Sequence, residues 1–170
     1  MKTRIIGILL GALFLCCLTG CKSDTLPAEP EDFSFSLVWG TFGISSYDSK
    51  TGKLVKTSHA TNPEEYITNY LLSEDEEQTI YDLIRKLDVS SYPDQYNPDP
   101  NLHSEPSMSI IFTVHTYTGD KTISAEDIAI GYDCENEKGQ KFLTTVKAIK
   151  DILTGTEAWK ALPDYEFYYE

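Results

Sequence analysis

The chain is poor in the groups that build most catalytic and metal sites. Its 170 residues hold three histidines, His59, His103 and His115, in unrelated contexts. It contains no Gly-x-Ser-x-Gly elbow, no P-loop, no Gly-x-Gly-x-x-Gly and no His-Glu-x-x-His stretch. The common signatures of serine hydrolases, nucleotide binders and zinc proteases are therefore missing. No cofactor and no metal-ligand set is expected. Basic side chains are scarce, 14 against 27 acidic ones. Nucleic acid needs basic patches, so it is excluded as a partner. Of four cysteines, only Cys134 stands beyond residue 21, so that stretch cannot close a disulfide on itself. The apolar run at residues 5–18 is about 14 residues long, whereas a membrane-spanning helix needs roughly 20.

What is present begins at that run. Lys2 and Arg4 precede it, and Leu18-Thr19-Gly20-Cys21 closes it. A basic start followed by a short uncharged apolar stretch reads as a signal peptide rather than a permanent span. The closing residues resemble the lipobox of bacterial lipoproteins: Leu at −3, a small residue at −2, Gly at −1, then Cys. The resemblance covers residues 1–21. It implies cleavage between Gly20 and Cys21, with a diacylglycerol on the Cys21 thiol and a further acyl group such as palmitate on the new amino terminus. Two or more acyl chains anchor a protein stably, where one holds it only marginally. The resemblance thus implies an extracytoplasmic protein held on the cell membrane through Cys21. Residues 1–20 are then a signal peptide, residues 21–32 a lipidated N-terminus and tether, and residues 33–170 a single globular domain.

Loss of Lys2 and Arg4 leaves 12 basic and 27 acidic side chains, a formal charge of −15. Such a domain does not lie flat on anionic lipid, so the lipid must hold it. Residues 22–32 carry Pro27, Pro30 and four acids. They favour extended conformations and reach at most about 35 Å.

Alternation of Phe33, Phe35, Leu37 and Trp39 with small residues predicts a strand. Turn chemistry at Asp48-Ser49-Lys50-Thr51-Gly52 makes residues 34–57 a hairpin, with a bend at Gly40 and Gly43. A third strand is expected at residues 66–71. Ser73-Glu74-Asp75-Glu76 matches a capping box, and Ile80, Leu83, Ile84 and Leu87 fall at helical spacing, so helix one spans about 74–88. Residues 92–107, with four prolines, read as a solvated loop. Residues 108–117 give the strongest strand, with Met108, Ile110, Phe112 and Val114 on one face and His115 on the other. Thr118-Gly119-Asp120 turns the chain, and residues 121–124 pair back. One helical turn at 124–127 and a short strand at 128–132 are expected next. Phe142, Val146, Ile149 and Leu153 define helix two, with Gly155 as its C-cap. Residues 156–162 make one further turn that folds Trp159 back on the core, and Pro163 stops it. The aromatic tail reads as a final edge strand.

These elements predict an α+β fold, an antiparallel sheet of hairpins with two amphipathic helices packed on one face. The layout is similar to that of small bacterial lipoproteins of unknown role, which implies no activity. Asp133, Glu135 and Glu137 imitate a Ca²⁺ loop, but Gly139 falls one place late and Thr144 stands where a chelating acid is required. Acidic neighbours around Cys134 suppress its thiolate. The reading is a non-catalytic binding or accessory module, with an envelope protein as the expected kind of partner. A small envelope hydrolase is the alternative, and a solute-binding lipoprotein of a transporter is less favoured because those are usually longer and two-lobed.

Overall fold

The structure is a computed structural model that describes residues 33–41, 44–101, 103, 105–117 and 119–166. Residues 1–32, where the signal peptide, the Gly20–Cys21 cleavage site and the tether are expected, lie outside the described residues. Seven strands form one sheet: β1 (Ser34–Gly40), β2 (Ser45–Asp48), β3 (Lys53–Val55), β4 (Ile67–Asn69), β5 (Gln95–Tyr96), β6 (Met108–Thr116) and β7 (Gly119–Ile128). Among the described residues three α-helices accompany it, α1 (Glu74–Leu87), α2 (Glu137–Gly155) and the single turn α3 (Glu157–Lys160), with 3-10 turns at Pro63–Tyr66 and Val89–Ser91. The strand order is β4-β3-β2-β1-β6-β7-β5. Every neighbouring pair is antiparallel except β5 with β7. This is the α+β architecture that the periodicities predict. Among the described residues no helix is long and apolar enough to cross a membrane.

The core follows from the strand period. Phe35, Leu37 and Trp39 on β1, Ile110, Phe112 and Val114 on β6, and Ile123 and Ala125 on β7 are buried together. They share one cluster with Ile80, Ile84 and Leu87 of α1 and with Phe142, Val146, Ile149 and Leu153 of α2. Alternation sends Ser34, Ser36 and Val38 the other way.

The α1 start is the capping box read from the sequence. Ser73 Oγ accepts from Glu76 N at 3.4 Å, and Glu76 Oε2 accepts from Ser73 N at 2.9 Å. Tyr70 also donates its hydroxyl to Glu76. Burial tends to raise the Glu76 pKa, but these hydrogen bonds together set it below the ordinary value. Tyr70 is pushed up to about 12 by burial and by the same carboxylate.

Five local expectations are corrected. The short strand expected at 128–132 is not formed, since β7 ends at Ile128 and residues 129–132 are not strand. Residues 34–57 form three strands rather than a two-stranded hairpin. Gly40 takes φ 154°, β1 stops there, and β2 returns antiparallel with Ser45 opposite Trp39. The expected helical turn at 124–127 is strand, since β7 runs on to Ile128. Pairing decides this: Gln95 and Tyr96 sit opposite Ser124 and Ala125, and Ser124 N donates to Asp94 O at 2.7 Å. A buried Ala125 adds to that pull, which outweighs a local capping signal. Gly155 is the last residue of α2, not its cap. Thr156 caps it in extended backbone, and its hydroxyl accepts from Trp159 N at 3.1 Å to start α3. Residues 161–166 are not strand, and 167–170 lie outside the described residues.

The chain after α3 is fastened by side chains instead. Trp159 stacks on Trp39 with ring centres 5.8 Å apart. Tyr165 and Ser45 hydroxyls lie 2.6 Å apart, and Ser45 donates to Lys56 O. Lys56 Nζ, almost fully buried, donates to Leu162 O at 3.2 Å. Thr61 N and its hydroxyl donate to Glu166, whose pKa they lower.

Candidate functional site

Phe33 is the first described residue, directly before β1. Its ring packs edge-on against Tyr81 of α1, centres 5.0 Å apart. Two recesses flank it at the same end of the sheet. One is polar, about 720 Å³, and is bounded by the β2–β3 turn and the β6–β7 turn. Ser34, Asp48, Lys50, His115, Tyr117 and Asp120 line it. The other is an apolar groove of about 430 Å³ beside α1, lined by Phe33, Tyr81, Ile84, Val89 and Val114, with Arg85 and Asp88 on its border. Tyr117 borders both and is 87% exposed at the turn tip.

Strand register builds the polar recess. Ser34 of β1 lies opposite His115 of β6, and His115 lies opposite Asp120 of β7. Residues so paired share a face of the sheet. His115 Nδ1 is 2.9 Å from Asp120 Oδ1. Asp48 Oδ1 accepts from Thr51 N at 2.9 Å and from its hydroxyl at 3.0 Å, which fixes the β2–β3 turn. Ser49 closes that turn onto β1, exchanging hydrogen bonds with Phe35 N and O.

The serine–histidine–aspartate order invites comparison with acyl-transfer chemistry. That chemistry requires the serine hydroxyl to hydrogen-bond the imidazole and a carboxylate that holds the imidazole in place. Among the described residues no hydrogen bond joins Ser34 to His115. The Asp120 side chain is 63% exposed, so water competes for its oxygens. The recess thus presents hydrogen-bonding groups, with the Ser34 hydroxyl not hydrogen-bonded to His115 among the described residues.

The remaining polar features hold structure. The three histidines are not brought together: His103 pairs with Glu105 at 3.4 Å on the surface, and His59 N donates to Thr57 Oγ1. Asp99, buried in the 92–107 segment, accepts from Glu135 N at 2.9 Å and from Asn101 N at 3.2 Å. Cys134 Sγ donates to Pro98 O at 3.3 Å and to Asn136 O at 3.4 Å. Burial, helped by Asp99 and Glu135, pushes its thiol pKa up, away from the reactive thiolate. The α2 start uses Asn136, whose Oδ1 accepts from Gly139 N at 2.9 Å, and not the flanking acids. No group of three or more His, Cys, Asp or Glu is placed to hold a metal among the described residues.

The recess was missed in the sequence because Ser34 and His115 meet only through β1–β6 pairing. One part was within reach. Counting outward from the expected turn at Gly119 sets Thr116 opposite Gly119 and His115 opposite Asp120. The chain matches no protein-family model and no curated protein.

Proposed function

We propose that the protein is a lipid-anchored, extracytoplasmic component of the bacterial envelope, and that its domain is a non-catalytic binding or accessory module. The observation that carries the reading is Leu18-Thr19-Gly20-Cys21 after a basic start and a 14-residue uncharged run. The fold is compatible with it in one respect: Phe33, where the tether ends, borders both recesses. On this reading the polar recess is the binding site and opens toward the tether side of the domain, within about 35 Å of the headgroups. The test is fractionation of cells that express Cys21→Ser. The wild-type protein is expected in the membrane fraction, and the variant as soluble protein or unprocessed precursor. Membrane association that the substitution leaves unchanged refutes the anchor.

A second reading, a small envelope hydrolase, is favoured by the Ser34–His115–Asp120 register alone. A serine-directed fluorophosphonate decides between them. Labelling that Ser34→Ala abolishes would establish the hydrolase; absence of label supports the binding module.

A further inference from the structure

We infer that the polar recess between the β2–β3 and β6–β7 turns is a site for a neutral oligosaccharide. The inference rests on the binding-module reading and names its ligand class. It starts from the groups left unspent. Asp48 and Asp120 each commit one carboxylate oxygen, Oδ1, within the protein. Their Oδ2 atoms, His115 Nε2 and Lys50 Nζ make no hydrogen bond among the described residues. Acceptors and donors therefore stand side by side around a space of about 720 Å³, within the range of small-molecule sites.

Charge and chemistry narrow the occupant. Two carboxylates against one lysine repel phosphate and other anions. For a cation, no group of three or more acidic, histidine or cysteine side chains converges here among the described residues. An apolar ligand would strip water from carboxylates and hydroxyls without replacing its hydrogen bonds. A sugar meets every condition. Its hydroxyls donate to Asp48 and Asp120 and accept from Lys50. Its C–H face covers an aromatic ring, and Phe33 and Tyr117 stand at the edge of this recess. Tyr117, 87% exposed, has an open ring face with no burial to lose. The volume leaves room for more than one pyranose ring.

The test is calorimetric and NMR titration of the full-length protein, in a detergent without a sugar headgroup. The probes are chitotriose, cellotriose and inorganic phosphate. Binding of a trisaccharide with shifts at Tyr117, His115 and Lys50 is expected, with none from phosphate. Tyr117→Ala should weaken it about 2- to 10-fold, from the usual value of an aromatic contact. Asp120→Asn should weaken it about tenfold, from a lost charge-assisted hydrogen bond. Neither residue is buried, so both variants should fold. No binding of either trisaccharide overturns the inference, as does binding that both substitutions leave unchanged, or phosphate displacing the sugar. The titration is repeated with Cys21→Ser. Sugar binding should persist there, so a failed anchor and a failed sugar site give separate results.

Discussion

Gly139 sits in the first turn of α2, where an alanine would ordinarily improve the helix by up to about 1 kcal/mol. The surroundings reverse that expectation. A Cβ built there would meet the Pro98 carbonyl oxygen head-on, with the Pro98 carbonyl carbon at 2.9 Å and Cys134 Sγ at 2.5 Å. The sulfur can swing aside, but the carbonyl is backbone. It already accepts from Cys134, and the neighbouring Asp99 is tied to Glu135 N. Overpacking of this kind costs about 1–3 kcal/mol. Gly139→Ala is therefore expected to destabilise by about 1–2 kcal/mol after the helix gain is subtracted. For a chain of this size that lowers Tm by roughly 2–8 °C. Gly155→Ala is the matched control, since a Cβ there meets nothing within 4 Å. It should be neutral or raise Tm by up to about 4 °C. Thermal unfolding followed by circular dichroism on residues 21–170 reads both. A Gly139→Ala protein as stable as wild type would refute the close approach of the 92–107 segment to α2.

Ser73→Ala removes the N-cap of α1 and should cost about 1 kcal/mol by urea unfolding, with no change in m-value. Glu76 adds a pH dependence. Its folded pKa is lowered, so its contribution is present above the unfolded pKa and is lost as pH falls through the folded value. Wild-type stability should then drop more between about pH 6 and about pH 3 than that of Glu76→Gln, and equal drops would contradict the capping carboxylate. Cys134 should react with iodoacetamide near neutral pH more slowly than free cysteine, because burial raises its thiol pKa. Labelling at the rate of free cysteine would show that the thiol lies open.

Much of the fold was legible where its causes are local. Ser73, Glu76 and the Ile80–Ile84–Leu87 spacing lie within 15 residues, and α1 begins and ends where they say. The inward set Met108, Ile110, Phe112 and Val114 follows from period two alone. What escaped depends on partners distant in the chain. β5 is two residues long and exists because β7 pairs with it. The burial of Lys56 requires Leu162 and Trp159 to close over it, and a lysine after a short strand otherwise reads as solvated. Gly139 read as a misplaced turn residue of a cation loop, whereas its place is explained by the Pro98 carbonyl against it. The polar recess escaped for the same reason, since β1–β6 register brings Ser34 beside His115.

The state of Cys21 decides how the protein is held, and it is read from the intact mass of the protein extracted from membranes. The prediction is a chain that has lost residues 1–20 and carries a diacylglyceryl group on Cys21. A protein that retains those residues, or one whose Cys21 is a free thiol, contradicts it.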